Sequence, residues 1–302
     1  MTVKRALVTV TNQKYLAGTE VLLFSFLKYN PNFQGDLIII HDNLKPKLRK
    51  ALTNKFPVKF EQVSLEMQDA LRKLVYDCPR FSNKLQRFWS LELFRLKEYD
   101  QFLFLDSDIL CKSNLDDLWK VNHEFSACLD LSYYNNKFRN INSFELTSTF
   151  NEKRDFEKTF NAGVMLYNPP NDYLIHYASL LNLLSSDTYK SSTSGHTDQY
   201  LLNHFFRNRV HWLSTKYNYL KRDEITIESK IGMLAKDAVL LHYIRNPKPW
   251  NFKRLIKDNL KGRGKFVIFE EWLRVYCEML LNQKPLRICN LVKGLLLKVV
   301  LS

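Results

Sequence analysis

An open α/β sandwich, a sheet with helices on both faces, is the fold this sequence predicts, and three observations predict it. Apolar runs of strand length alternate with helical patterns from the N-terminus onward. The runs are apolar throughout instead of alternating with polar residues, which marks strands buried on both faces and points to a parallel sheet. Two aspartates, Asp106 and Asp108, directly follow one of these runs, at the edge where open α/β sheets hold their ligands. Composition agrees: 302 residues that are 45% hydrophobic and 14% aromatic make a globular chain and exclude a disordered one.

The elements follow in order. Residues 5–11 (Arg-Ala-Leu-Val-Thr-Val-Thr) read as a buried strand. A helical pattern runs from Gly18 to Tyr29, with apolar residues at 21, 22, 24, 26 and 27. Pro31-Asn-Phe-Gln-Gly35 breaks it, and Asp36–His41 is the second strand. A basic helix over 45–55 and a short strand from Lys59 to Val63 complete a β-α-β-α-β start. A helix from Asn83 to Lys97 precedes the strand that carries the aspartates. Further strands are expected at Phe125–Leu129, Ala162–Tyr167 and Ala238–His242, with a helix at Thr197–Phe206. Segment 132–158 is polar and irregular, and fits either a loop over the site or a surface insertion.

Residues 102–110 read Phe-Leu-Phe-Leu-Asp-Ser-Asp-Ile-Leu. Successive strand residues face opposite ways at about 3.3 Å per residue, so residues two apart share a face of a regular strand but stand about 6.6 Å apart along it. A shared task for Asp106 and Asp108 at the strand's end requires the backbone to turn there and gather them around a divalent cation. Mn²⁺ and Mg²⁺ favour carboxylate and phosphate oxygens. The plainer reading is a loop in which the aspartates cap the next element.

Other segments carry candidate chemistry. Phe160-Asn161-Ala162-Gly163-Val164 leads small residues into a strand, which suits close approach of a ligand or simply tight packing. Asp198 opens a helix, where capping is the default explanation. His242 ends an apolar strand, and Lys248 sits between Pro247 and Pro249, which stiffen its loop and suit a lysine reaching for a phosphate.

In this order and at this spacing the pieces resemble the family 8 retaining glycosyltransferases, which include glycogenin and bacterial lipopolysaccharide galactosyltransferases. The resemblance runs from about residue 6 to Trp250. Its markers are Thr9-Val-Thr-Asn12 with Tyr15, Asn83-Lys-Leu85, Phe104-Leu-Asp-Ser-Asp108, Phe160-Asn-Ala-Gly-Val164, Asp198-Gln199 and His242 followed six residues later by Lys248-Pro-Trp250.

The resemblance implies a GT-A fold, a Rossmann-like mixed sheet flanked by helices, that binds a UDP-sugar and Mn²⁺, with Mg²⁺ as the second candidate. It implies Asp106, Asp108 and His242 as metal ligands. Thr11, Asn12 and Tyr15 would hold uracil and ribose, and Lys84 would meet the donor sugar or phosphate. Asn161, Ala162, Asp198 and Gln199 would line the donor sugar, with Ser107 and Asp130 beside them, and Lys248 would meet the diphosphate. Arg245 stands where glycogenin-like members have a glycine and is a further diphosphate candidate. No tyrosine is assignable as a self-glycosylation acceptor, so a glycogenin-type priming role is not expected. The implied reaction moves a hexose, glucose or galactose, to a glycan or lipid-linked glycan. It proceeds by front-face substitution, because Gln199 is a poor nucleophile and Asp198 reads as a hydroxyl ligand.

The organisation of the chain divides it into a catalytic domain over 1–250 and a basic helical region over 251–302. The net charge is +14, and the second region carries eleven basic residues against four acidic ones, half of that excess. From Pro285 onward, a helix would place Arg287, Asn290, Lys293, Gly294 and Lys298 on one arc against an apolar remainder, as anionic membrane surfaces attract. A terminal helix docked on the catalytic domain is the alternative. Five cysteines without close spacing suit buried thiols in a reducing compartment, and no stretch has membrane-spanning length. The expected location is therefore cytoplasmic, at the inner face of the membrane. Two other readings are a catalytically silent nucleotide-sugar binder and a basic nucleic-acid-binding protein. The latter leaves the acidic pair, His242 and Asp198-Gln199 idle, and no RRM, KH or zinc-finger spacing is present, so nucleic acid is not an expected partner.

Overall fold

The computed structural model describes residues 3–131, 159–184, 186–190, 197–261 and 266–283. The polar segment 132–158 and the amphipathic stretch from Pro285, both singled out above, lie outside the described residues. The strands are β1 (Arg5–Val10), β2 (Asp36–His41), β3 (Val58–Gln62), β4 (Gln101–Leu105), β5 (Ile109–Cys111), β6 (Phe125–Leu129), β7 (Phe160–Tyr167), β8 (Val210–Leu213), β9 (Tyr219–Leu220) and β10 (Leu240–His242). The helices are α1 (Leu16–Tyr29), α2 (Pro46–Thr53), α3 (Leu65–Asp77), α4 (Leu174–Leu183), α5 (Ser186–Lys190), α6 (Asp198–Phe206), α7 (Glu224–Ile231), α8 (Phe252–Leu260) and α9 (Phe266–Gln283).

A seven-stranded sheet runs in the order β3-β2-β1-β4-β7-β6-β8, and a three-stranded sheet in the order β5-β10-β9. Strands β1 to β4 pair in parallel, as expected, but β7 runs antiparallel to both β4 and β6. The sheet is therefore mixed. This is the mixed sheet that the resemblance implies; the apolar runs alone point to a parallel sheet and do not reveal the direction of β7, because a strand buried on both faces is equally apolar in either direction.

Alternation along the central strands supplies two cores. Leu7, Leu37, Ile39, Leu103 and Leu105 face one, together with α1, α9 and the small sheet. Ala6, Val8, Ile38, Ile40, Phe102 and Phe104 face the other, with α3, α4 and α6. Helix α9 buries Phe269, Trp272, Val275 and Met279 in the first core, so part of the basic C-terminal region is built into the same body as the sheet.

Two local departures from expectation have physical causes. Helix α3 is an addition, signalled by Ser64, whose hydroxyl accepts from the Met67 amide, and by buried Met67, Leu71 and Leu74 at helical spacing. The helix expected over 83–97 is instead a 3₁₀ run over Leu85–Arg95. Leu85, Phe88, Leu91 and Phe94 recur every third residue, and three-residue turns align residues three apart along one edge. The same pitch puts Arg87 and Ser90 together on the edge facing the candidate site.

Candidate functional site

Strand β4 ends at Leu105, and the chain turns through Asp106–Asp108 before re-entering the small sheet as β5. Two backbone bonds hold the turn: the Asp106 amide donates to the Gly163 carbonyl at 2.9 Å, and the Ile109 amide to the Asp106 carbonyl at 3.1 Å. The Ser107 hydroxyl donates to the Val10 carbonyl, tying the turn to β1. Strand β10 lies antiparallel to β5 with His242 opposite Ile109, and the Tyr243 amide donates to the Asp108 carbonyl at 3.0 Å. This pairing brings His242, 134 positions away in sequence, beside the aspartates. Its Nε2 lies 3.2 Å from Asp108 Oδ1 and 3.6 Å from Asp106 Oδ2.

One ligand atom from each of Asp106, Asp108 and His242 lies within 4.8 Å of the others. Two carboxylates and an imidazole suit Mn²⁺, with Mg²⁺ favoured less by the nitrogen donor. The electrostatics also call for a cation. Burial and the neighbouring Asp108 charge push the Asp106 carboxyl up to about 7. The Asp106 side chain borders open space and is 40% exposed, so the desolvation is that of a pocket wall. Asp108 is held well below the usual carboxylate range: burial opposes this, but the Lys248 ammonium and His242 outweigh it. A divalent ion would satisfy both carboxylates at once.

These groups line a cavity of about 420 Å³ together with Thr11, Asn12, Tyr15, Ser107, Asn161, Ala162, Asp198, Gln199 and Lys248. That volume is within the range of small-ligand sites. Asn12 Oδ1 accepts from the Lys14 and Tyr15 amides at 2.8 and 3.2 Å, forming the turn into α1. The Tyr15 ring meets Trp250 edge-on at 5.4 Å, and Trp250 Nε1 donates to the Lys14 carbonyl at 2.9 Å. The loop after β10 is thereby closed onto the first-strand loop. Lys248 donates to Asp108 and, at 3.1 Å, to the Tyr243 carbonyl.

Three predicted site residues are placed outside the cavity lining. Arg245 turns away and forms a two-pronged pair with the buried Asp223, at 2.8 and 3.0 Å. Its φ of +66° is left-handed backbone, which favours glycine. Lys84 precedes the 3₁₀ run, and its ammonium lies 5.9 Å from the centre of the Phe81 ring; Arg87 is the basic residue of the lining. Asp130 is buried behind the wall and accepts from Gln199 Nε2 at 2.7 Å.

Sequence reasoning missed Gln86, Arg87, Trp89 and Ser90, all on the 3₁₀ run, along with Thr197 and Ile244. The period-three pattern of Leu85, Phe88, Leu91 and Phe94 is the signal that could have found the first four. Gly163 also has a defined use. A Cβ there would overlap the His242 imidazole carbon Cε1 and lie 2.9 Å from Nδ1. The tight packing that a small residue permits is therefore with the histidine. Gly163→Ala should cost about 1–3 kcal/mol, as overpacking does, and weaken divalent-ion binding by displacing the ring. A wild-type melting midpoint and metal titration would show that the ring yields freely.

Asp198 stands at the start of α6 with its carboxylate accepting from Ser90 Oγ at 2.7 Å and Thr197 Oγ1 at 2.9 Å. Burial nevertheless raises its pKa above the ordinary value. The folded chain thus binds this proton more tightly than the unfolded chain, and ionised Asp198 costs stability once pH rises through the folded pKa. Asp198→Asn should therefore raise the melting midpoint near neutral pH, with the gain shrinking in acid where the wild-type carboxyl is protonated. Thermal unfolding of both proteins across that range checks the sign. A variant less stable than wild type at neutral pH would contradict it.

The open mixed sheet, with an acidic turn at the carboxyl edge of β4 and a facing histidine, has the GT-A fold. The solved galactosyltransferase LgtC, in complex with donor and acceptor sugar analogues, superposes with a TM-score of 0.61 at 16% identity, covering 83% of this chain and 94% of that one. The chain belongs to glycosyl transferase family 8, whose sequence model matches residues 6–254. Mouse (Mus musculus) Glycogenin-1 is 25% identical over 256 residues, 82% of this chain and 66% of that protein. The Escherichia coli lipopolysaccharide 1,2-glucosyltransferase is 25% identical over 260 residues, 80% of this chain and 71% of that protein. Against the glycogenins the chain spans at most about two thirds of their length, 44% for human (Homo sapiens) Glycogenin-2 and 30% for the Neurospora crassa Glycogenin.

Proposed function

We propose that this glycosyltransferase is metal-dependent and retaining, and moves glucose or galactose from a UDP-sugar to a glycan or lipid-linked glycan in surface polysaccharide synthesis. The observation that carries the reading is the convergence of Asp106, Asp108 and His242 in the wall of a cavity that also holds Lys248 and Arg87. When bound, a divalent ion supplies positive charge to the diphosphate leaving group. Lys248 and Arg87 add fixed charge for the same oxygens, preorganised by the protein. Tyr15 offers a ring for the base, while Asp198 and Asn161 offer polar atoms for sugar hydroxyls.

Double displacement would need a carboxylate free to attack the anomeric carbon. Asp198 is engaged by two hydroxyls, and the Gln199 amide is held by Asp130 on one side and Asn161 on the other. A front-face substitution fits these restraints, with the leaving phosphate taking the acceptor proton.

Among the described residues no helix is long and apolar enough to cross a membrane. Helix α8 is amphipathic in another sense: Lys253, Ile256, Lys257 and Leu260 are exposed at helical spacing, followed by exposed Lys261 just past its end, with Leu260 83% exposed. This stripe, together with the basic sequence from Pro285 that lies outside the described residues, supports attachment to the cytoplasmic face of an anionic membrane, where each basic residue contributes about 1 kcal/mol.

A panel of UDP-sugars screened for Mn²⁺-dependent hydrolysis tests the function. UDP release from UDP-glucose or UDP-galactose, abolished by a chelator, is the expected result. UDP affinity without turnover would identify a silent binder, and UDP affinity indifferent to Mn²⁺ would overturn the metal assignment.

A further inference from the structure

Behind the candidate metal ligands runs a chain of side-chain hydrogen bonds whose direction is set at both ends. His242 is 2% exposed, and its Nδ1 lies 2.9 Å from Asn218 Oδ1. Asn218 Nδ2 donates to Asn161 Oδ1 at 3.0 Å, and the Gly163 amide donates to that same oxygen at 3.0 Å. Asn161 Nδ2 donates to Gln199 Oε1 at 3.3 Å, and Gln199 Nε2 donates to Asp130 Oδ2 at 2.7 Å.

Each amide could in principle be turned end for end, exchanging donor and acceptor. Here none can turn alone. A carboxylate only accepts, so Asp130 requires the Gln199 nitrogen. A backbone amide only donates, so Gly163 requires the Asn161 oxygen. Asn161 Oδ1 in turn requires the Asn218 nitrogen, which leaves Asn218 Oδ1 facing the imidazole. An amide oxygen only accepts, so Nδ1 must carry a proton. Nε2 is then the nitrogen left for a cation, which would take there the place of a proton shared with the carboxylates, and it is the one that faces Asp106 and Asp108.

We propose that Asn218 is a positioning residue that fixes the tautomer and orientation of His242, and that its own orientation is imposed through Asn161 by the Gly163 amide and, through Gln199, by Asp130. The inference rests on reading Asp106, Asp108 and His242 as metal ligands. Metal-bound histidines commonly hold their second ring nitrogen this way, and loss of such a partner weakens metal binding by about 10- to 100-fold. Here the partner is an amide, and an amide adopts the useful orientation only because something else orients it. The same chain joins the metal wall to Asn161 and Gln199 in the cavity, so donor-sugar recognition and metal binding share one set of bonds.

The test uses ¹⁵N-resolved spectra of the histidine rings in the full chain, with and without Mg²⁺, and direct titration with Mn²⁺ alone. Wild type should show a protonated, slowly exchanging His242 Nδ1 in both conditions. Asn218→Ala should lose that signal, place the ring proton on Nε2 facing the carboxylates, and bind Mn²⁺ about 10- to 100-fold more weakly. Asn161→Asp keeps an acceptor for Asn218 and should retain the Nδ1 proton, whereas Asn161→Ala should give a mixture of tautomers. A ring proton that stays on Nδ1 in Asn218→Ala overturns the proposal. Should that variant fail to fold, an unchanged ring in Asn161→Ala does the same. A wild type with the Nδ1 proton but no Mn²⁺ affinity overturns the metal reading and not the relay, because the tautomer is scored in the metal-free chain.

Discussion

Asp108→Asn is expected to abolish transfer, with a loss in kcat of at least about 10³-fold, the upper range for removing one electrostatic group. Asp108 is 5% exposed and meets two cationic or cation-seeking partners, Lys248 and His242. The substitution removes a ligand charge, leaves the Lys248 ammonium buried without its counter-ion, and deletes the negative neighbour that helps raise Asp106. Asp106 should therefore return toward the ordinary carboxylate range, so the variant retains one ionised ligand at neutral pH and still fails to hold the ion. Calorimetry should show UDP affinity that no longer responds to Mn²⁺. Equal Mn²⁺-dependent affinity in variant and wild type would remove Asp108 from the metal site.

Lys248→Ala should lower kcat by about 10²-fold, because its charge offsets charge developing on the leaving group. Its effect on the metal should have the opposite sign from that of Asp108→Asn. In the metal-free chain the ammonium donates to Asp108, one of the proposed ligands, and is only 13% exposed. An entering ion must displace it. Without the lysine, Mn²⁺ should bind at least as tightly in the absence of UDP, while turnover falls. Steady-state kinetics and a Mn²⁺ titration of one preparation decide the matter. A wild-type kcat would make Lys248 a structural counter-ion, and weakened Mn²⁺ binding would mean that it supports the site and does not compete for it.

The two variants separate charge that holds the ion from charge that acts on the leaving group. Sequence reading gives Asp108 to a cation and Lys248 to a phosphate, and does not connect the two. Only the Lys248–Asp108 contact assigns them opposing effects on metal affinity.

Much of the fold was legible before any coordinates. Strands β1, β2 and β6 fall where uninterrupted apolar runs place them, since burial on both faces leaves an unambiguous composition. The aspartate turn was legible too, because two acidic residues cannot extend an apolar strand without a change of environment. Direction was not: β7 could be seen as a strand, but burial does not distinguish parallel from antiparallel neighbours. The 3₁₀ run was read as an ordinary helix because both conformations bury a stripe, and the difference between periods of 3.0 and 3.6 is small over eleven residues.

The site divides in the same way. Sequence by itself determined the chemical types, namely a carboxylate pair after β4, a histidine closing β10, a lysine between prolines and an amide-rich start to β7. It determined these because local order ties each to the end of a recognisable strand or helix. Tertiary structure alone decided which of them meet. The antiparallel pairing of β10 with β5 carries His242 to the aspartates, and the ion pair with Asp223 draws Arg245 away from the cavity. It also decided that Asn218, an unremarked residue between two tyrosines, faces the histidine ring. The physical reason is range. Backbone propensity and hydrophobic period act over a few residues, whereas contacts across 24 to 140 positions exist only after two sheets have packed and fixed which side chain faces which.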